Sequence, residues 1–358
     1  MPYAANTLIA HVDKDNPDPE IMALAGEVLH EGGLVAFPTE TVYGLGANAL
    51  SESAVAKIFE AKGRPATDPV IVHIYEMDDL EKIAVNIPEI AYTLAEKFWA
   101  GALTLILQKS DAIPLNVTAG GETVAVRMPS HPVAQALLRK SNLPIAAPSA
   151  NLFSRPSPTG AAHVLHDLEG KVDVILDAGA TSIGVESTIV DLTGETPVVL
   201  RPGGVSIEDL REFIPDLAYK ARYLAENMTA PSPGTLVKHY SPDAQVMLFQ
   251  GDERAVLAAM HRMTEQFFAE EKRVGILAMN GDALEFADMP VHVALMGRTD
   301  TDMAARLFAG LRALDEDGVD VILVRAPEQS GMGLAIWDRL LRAAEGHIIS
   351  VTADETAS

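Results

Sequence analysis

The run Lys62-Gly63-Arg64-Pro65 sets two cations one glycine apart. Glycine and proline shape a turn that aims both outward, where Arg64 offers a phosphate a bidentate fork and Lys62 a point charge. The same pair also reads as solvated cations complementing the dipole of a helix that ends there. Upstream, the stretch from Gly32 to Gly46 leaves an apolar run, Leu34 to Phe37, at Pro38. It then opens into Thr39, Glu40, Thr41 and Tyr43, with two glycines before a helix-like segment. A strand ending in hydroxyls, a carboxylate and glycines usually presents a ligand at its carboxyl end. Together the two signals suggest an enzyme that handles nucleotides.

Further candidates lie at strand ends. His73 sits in Val70–Ile74 and shares a face with Ile71 at period two; it reads as a core histidine or as a ligand contact. Thr123 and Arg127 flank a short strand. An arginine entering a core strand needs a buried carboxylate or an anionic ligand, and a substrate carboxylate matches its geometry. Ala147, Ser149 and Asn151 close an apolar strand, as a close-approach ligand site or as an ordinary turn. Ser157, in Arg155-Pro156-Ser157-Pro158, is a weaker signal. Ser187 lies in Glu186-Ser187-Thr188 before a strand, and Arg201, beside Gly203 and Gly204, suits a phosphate. Asp177 and Asp191 could hold magnesium indirectly or serve surface turns. The ten histidines show no HxH or HExxH spacing, and neither a Walker A motif nor GxGxxG is present.

The elements that must position these residues follow from apolar periodicity. Helices are predicted over 20–31, 52–62, 88–99 and 131–139. Strands are predicted at Leu34–Phe37, Val70–Ile74, Leu103–Gln108, Val124–Arg127, Pro144–Ala147, Val172–Asp177, Thr188–Leu192 and Val198–Arg201. Alternation without a regular βαβ repeat predicts a twisted, open, mixed α/β sheet in a catalytic domain over 1–215. Residues 216–243 lack a strong period and contain Pro231-Ser232-Pro233-Gly234 and His239-Tyr240-Ser241-Pro242, which reads as a linker. Beyond it, strands 245–249, 273–278, 291–295 and 319–324 alternate with helices 253–268, 301–315 and 333–345. They predict a smaller α/β domain over 244–358 with a mainly parallel sheet.

A chain of 358 residues exceeds one ordinary core, so two domains are expected. It has no cysteine, which removes disulfides and thiolate chemistry. No apolar run reaches the roughly 18 residues of a membrane span, and no secretory signal opens the chain, so a soluble cytoplasmic protein is expected. The net charge of −23 divides into −14 over residues 1–210 and −9 over the rest. Such a surface repels a phosphate backbone and disfavours stable nucleic-acid binding. A few cations at short range can still hold a nucleotide.

In order, PTETVYGLG, KGRP, VIVH, FWAGALTLIL, VAVRMP, APSAN, ESTIVD and VLRPGG resemble the YrdC-type threonylcarbamoyl-AMP synthase family over about residues 8–210. The tail, with GMGLAIWDRLLRAA, resembles the long members, which add a linker and a small Rossmann-like domain. The resemblance implies that L-threonine, bicarbonate and ATP, with Mg2+, give threonylcarbamoyl-adenylate and pyrophosphate. A separate transferase complex would then modify tRNAs reading ANN codons. Threonine would lie near Thr41, His73, Arg127, Ala147 and Ser187, with Arg127 on its carboxylate. ATP would lie near Lys62, Arg64, Asp68, Thr123, Ser149, Asn151, Ser157 and Arg201, under a lid bearing His239 and Tyr240. Lys62 and Arg64 would act by stabilising phosphate charge, since the carbamate itself is the nucleophile.

Two departures stand out. Asp68 occupies a position where the family commonly has asparagine, and an acid beside ATP must meet magnesium or a cation. The linker reads SPGTLVKHYSP where relatives more often show SPGM and HYAP. Two rival classes carry less weight. The acidic charge opposes an RNA-binding module, and the lack of cysteine opposes a hydrogenase-maturation carbamoyl-transfer protein with its zinc fingers.

Overall fold

The computed structural model describes residues 7–219 and 240–352. The chain divides into two compact units, one of Met1–Phe153 with Ser157–Leu236 and one of Ser154–Pro156 with Val237–Ser358.

In the first unit the strands are β1 (Leu8–His11), β2 (Val35–Pro38), β3 (Tyr43–Asn48), β4 (Ile71–His73), β5 (Ala84–Val85) and β6 (Leu103–Lys109). They continue with β7 (Thr123–Arg127), β8 (Ile145–Ala146), β9 (Val174–Asp177), β10 (Thr188–Asp191), β11 (Val198–Arg201) and β12 (Ala218–Tyr219). The helices are α1 (Pro19–His30), α2 (Glu52–Lys62), α3 (Met77–Ile83), α4 (Glu89–Phe98), α5 (Pro132–Ser141), α6 (Ala161–Leu168) and α7 (Ile207–Arg211). The sheet runs β1-β9-β2-β3-β8-β4-β7-β6-β10-β11-β12, with β5 paired to β6. Parallel pairs such as β4/β7 and antiparallel pairs such as β6/β7 both occur in it, as expected of a mixed sheet. Helices α1 and α5 bury Met22, Leu29, Leu137 and Leu138 against Val35, Phe37 and Leu176.

Local chemistry sets the ends of α2. Ser51 accepts the Ala54 N–H at 3.3 Å, and Gly63 adopts the left-handed conformation at φ 64°. That turn stops the helix directly after Lys62 and sends Arg64 back across its end.

The stretch after Tyr43 departs from expectation, because it is a strand rather than a lead into a helix. β3 pairs antiparallel with β2, from Val35 opposite Gly46 to Pro38 opposite Tyr43. A Cβ on Gly46 would come within 2.8 Å of both Phe37 Cε1 and Ile145 Cγ2. The glycine thus permits close sheet packing rather than loop freedom. β1, α3, α6 and several two-residue strands have no counterpart in the periodicity, being too short or too charged to show one.

In the second unit β13 (Gln245–Gly251), β14 (Val274–Ala278), β15 (His292–Leu295), β16 (Val321–Arg325) and β17 (Ile348–Val351) alternate with α8 (Glu253–Ala269), α9 (Asp300–Glu316) and α10 (Gly331–Ala343). The sheet order is β15-β14-β16-β13-β17, and every pair is parallel. Phe249, Val256, Met260, Ile276 and Leu323 build its core. The three residues Ser154–Pro156 join this unit through Arg155, which pairs with Asp243 at 3.1 Å and Asp315 at 2.8 Å. Arg312 also donates to the Pro156 carbonyl at 2.5 Å.

Candidate active site

Strand register gathers the polar residues of the first unit. His73 pairs with Ile145 and with Arg127, Arg127 with Thr104, Thr104 with Ile189, and Ile189 with Arg201. Direct cross-strand partners face the same side of a sheet, so His73, Arg127, Thr104 and Arg201 form one row across β4, β7, β6 and β11.

Arg127 is buried and meets a buried carboxylate, one of the two partners open to it. Its Nη2 donates to Glu40 Oε1 at 2.6 Å, Nη1 to Thr41 Oγ1 at 2.9 Å and Nε to the Gly101 carbonyl at 3.1 Å. The other Glu40 oxygen accepts the Ser130 N–H at 3.0 Å. Of five guanidinium N–H groups, two have no partner among the described residues, one on each terminal nitrogen. The turn carrying Glu40 is folded by Thr39. Its hydroxyl donates to the Val42 carbonyl at 2.7 Å and accepts the Thr41 and Val42 N–H groups, each at 3.2 Å.

His73 is 3% exposed and meets the Phe37 ring edge-on at 6.0 Å. Burial, followed by the nearby Arg127 charge, lowers its pKa to about 3, so the ring is neutral. Its Nδ1 has no hydrogen-bond partner. Across the row, Thr104 Oγ1 and Ser187 Oγ lie 2.7 Å apart, and Arg201 donates to the Ser187 carbonyl through Nε at 3.2 Å and Nη2 at 3.0 Å.

Lys62 and Arg64 are only 2% and 7% exposed, which overturns the reading of both as solvated surface cations. Lys62 Nζ donates to the carbonyls of Ser149 and Asn151, both at 2.5 Å, tying the end of α2 to the Ser149–Asn151 turn. The Ser149 hydroxyl donates to Asn151 Oδ1 at 2.5 Å. Arg64 donates to the main-chain carbonyls of Asp68 and Pro69 at 3.2 and 2.6 Å. Its Nη2 also comes within 2.9 Å of Asp68 Oδ2, out of hydrogen-bonding alignment, so this contact is ionic only. Burial pushes the Asp68 carboxyl above the usual carboxylate range, against the pull of Arg64, Lys62 and Arg201.

The remaining candidates divide. Ser157 donates to Glu186 Oε1 at 2.6 Å, and the Ala147 N–H donates to the Ile71 carbonyl at 2.8 Å, leaving a small side chain beside Gly44. Thr123 opens β7, about 13 Å along the strand from Arg127. It therefore sits at the end of the β4/β7 pair where the Asp68–Pro69 segment enters. Tyr240 belongs to the second unit, where its ring packs on Phe308 at 5.2 Å with the Arg339 guanidinium 5.6 Å from its centroid. His239, with residues 220–239 of the linker expected over 216–243, lies outside the described residues. Asp177 and Asp191 serve turns, accepting from Gly179 at 3.1 Å and Thr193 at 2.9 Å.

A family profile described as "Telomere recombination", for Sua5, YciO and YrdC proteins, matches residues 27–203. A second, described as "Threonylcarbamoyl-AMP synthase, C-terminal domain", matches residues 205–345. A threonylcarbamoyl-AMP synthase of Pyrococcus abyssi is 46% identical over 96% of this chain and 100% of its own length. The chain belongs to the threonylcarbamoyl-AMP synthase family. The family member from Bacillus subtilis is 46% identical over 93% of this chain and 95% of its own. A crystal structure of P. abyssi Sua5 complexed with L-threonine has a TM-score of 0.90 at 44% identity, covering 96% of this chain and 100% of that one.

Reading the residues one by one missed Thr104 and gave no partner to Glu40 or Glu186. Glu40 stood in full view between two threonines, and Thr104 is a single hydroxyl inside the apolar run Leu103–Leu107. Its pairing with Ser187 depends on a strand far away in the chain and left no local sign. Among the described residues no helix is long and apolar enough to cross a membrane.

Proposed function

We propose that the protein condenses L-threonine, bicarbonate and ATP into threonylcarbamoyl-adenylate and pyrophosphate, a nucleotidyl transfer. The product would supply a cytoplasmic transferase complex that modifies tRNAs reading ANN codons, with no stable nucleic-acid complex formed by this chain. One observation carries the reading. Arg127, with two N–H groups unpartnered among the described residues, shares one row and one sheet face with Arg201, which acts on Asp68 together with Lys62 and Arg64.

The residues then divide the work. The two remaining N–H groups of Arg127 take the threonine carboxylate, with Glu40 and Gly101 holding the guanidinium in place. Thr41 and Ser187 present hydroxyls beside it, the small Ala147 leaves room, and neutral His73 stands next to Arg127 in the row. Threonine amine and bicarbonate form a carbamate with loss of water. A carbamate oxygen attacks the α-phosphorus of ATP, and the bond to pyrophosphate breaks. Lys62, Arg64 and Arg201 stabilise the charge developing on the phosphates, while Ser149, Asn151 and Ser157 shape the turns that hold them. Thr123 and Asp68 flank the entry to β4. Magnesium would arrive on the triphosphate, which supplies most of the oxygen ligands it needs. Excluding water protects the short-lived carbamate.

The test is pyrophosphate release from ATP and magnesium, with L-threonine and bicarbonate each present or omitted. Release that requires both supports adenylate synthesis. Release with neither makes the protein a nucleotide hydrolase and overturns the proposal.

A further inference from the structure

An acid lies among the cations assigned to the triphosphate. Asp68, 1% exposed, sits on the loop between α2 and β4, and neither carboxylate oxygen has a hydrogen bond. Arg64 reaches Oδ2 at 2.9 Å but aligns its donors on the main-chain carbonyls of Asp68 and Pro69. A carboxylate buried without hydrogen bonds must be balanced by nearby charge or take up a proton. The groups acting on Asp68 are Arg64 on its own loop, Lys62 at the end of α2 and Arg201 at the end of β11. No other titratable group among the described residues adds to these three. The same cations cannot serve this carboxylate and a polyphosphate equally.

We propose that Asp68 is a counter-anion built into the phosphate site. In the free protein it offsets the charge of Lys62, Arg64 and Arg201. When a polyphosphate becomes their partner, it takes up a proton from solvent. This rests on the nucleotide reading above and adds to it a competitor that belongs to the chain itself. The step is a single protonation, carboxylate to carboxylic acid, with no other bond made or broken. It follows from like charges sharing one site, where the weaker competitor is neutralised. Binding that takes up a proton strengthens as pH falls, across the window between the titrations of Asp68 in the free and the occupied site. An amide at this position lacks both the repulsion and the proton.

Calorimetric titration of the full-length protein tests this, with inorganic triphosphate and then ATP, first free of divalent metal and then with magnesium, with and without L-threonine. Two buffers of unlike ionisation enthalpy report the protons exchanged. Near pH 7 the wild-type protein is expected to take up on the order of half a proton more per ligand than Asp68→Asn. The variant is expected to bind about tenfold more tightly near pH 8, with a flatter pH dependence. Asp68→Ser repeats the comparison in case the amide folds poorly. Equal proton uptake in wild type and variants, with binding intact, overturns the counter-anion and leaves the nucleotide reading standing. No binding of either polyphosphate to any form overturns both. Binding that Asp68→Asn loses only when magnesium is added makes Asp68 a metal ligand and overturns the counter-anion as well.

Discussion

Arg127 commits three of its guanidinium N–H groups to the protein and keeps two for the proposed threonine carboxylate. Glu40, Thr41 and Gly101 take three of its donors and fix the plane in which the others point. Lysine can supply the charge but not that geometry. Arg127→Lys is therefore expected to weaken L-threonine binding by about tenfold to a hundredfold, with polyphosphate affinity little changed, as read by calorimetry with each ligand. Removing the partner acid has a different consequence. Glu40→Gln leaves a buried cation without its counter-charge, and a loss of about 3–5 kcal/mol in urea-unfolding stability is expected. His73 governs an acid limb. The unfolded chain binds a proton near 6.5, whereas the folded protein does not until about 3. Over that interval the unfolded state holds more protons, so stability falls as pH falls, by about 1.4 kcal/mol per unit at full slope. His73→Leu should flatten urea-unfolding stability between about pH 6 and about 4 by about one proton's worth. An unchanged slope would mean that His73 is protonated inside the fold.

At the level of elements, helix ends were legible because they are made by neighbours in the chain. Ser51 and Gly63 bracket α2 as their residue types demand, and the strands carrying His73 and Arg127 were plain from apolar runs. β3 was not legible. Tyr43-Gly44-Leu45-Gly46 has the glycines of a loop, and its strand character comes from Phe37 and Ile145 pressing on the sheet where a Cβ would stand. Gly46→Ala should then cost about 1–3 kcal/mol in thermal or urea unfolding, because two packed side chains must yield. A neutral outcome would show that the β2/β3 pair can relax. The site was half legible for the same reason. Lys62, Arg64 and Arg127 announce charge by type alone, whereas the Thr104–Ser187 hydroxyl pair exists only through the pairing of β6 with β10.

Across the whole molecule, charge and connectivity matter most. A net charge of −23 predicts that tRNA binds this chain weakly at low salt and not measurably at physiological salt. Tight binding with a steep salt slope in filter or anisotropy titrations would contradict that. The second unit takes Ser154–Pro156 from the middle of the first unit's sequence, through the Arg155 pairs with Asp243 and Asp315. A chain cut after residue 215 loses those partners and should turn over more slowly and unfold more readily. Full activity in the cut chain would remove any catalytic need for the second unit. The sequence by itself determined the helix caps, the cationic turn, the acidic surface and the family motifs, because each is a property of residue type or of near neighbours. Only the tertiary structure decided that Arg127 meets Glu40, that Lys62 and Arg64 are buried beside Asp68, and that His73, Arg127, Thr104 and Arg201 fall in one row. Those facts depend on strand register, and register is set by which distant strands bury each other's faces.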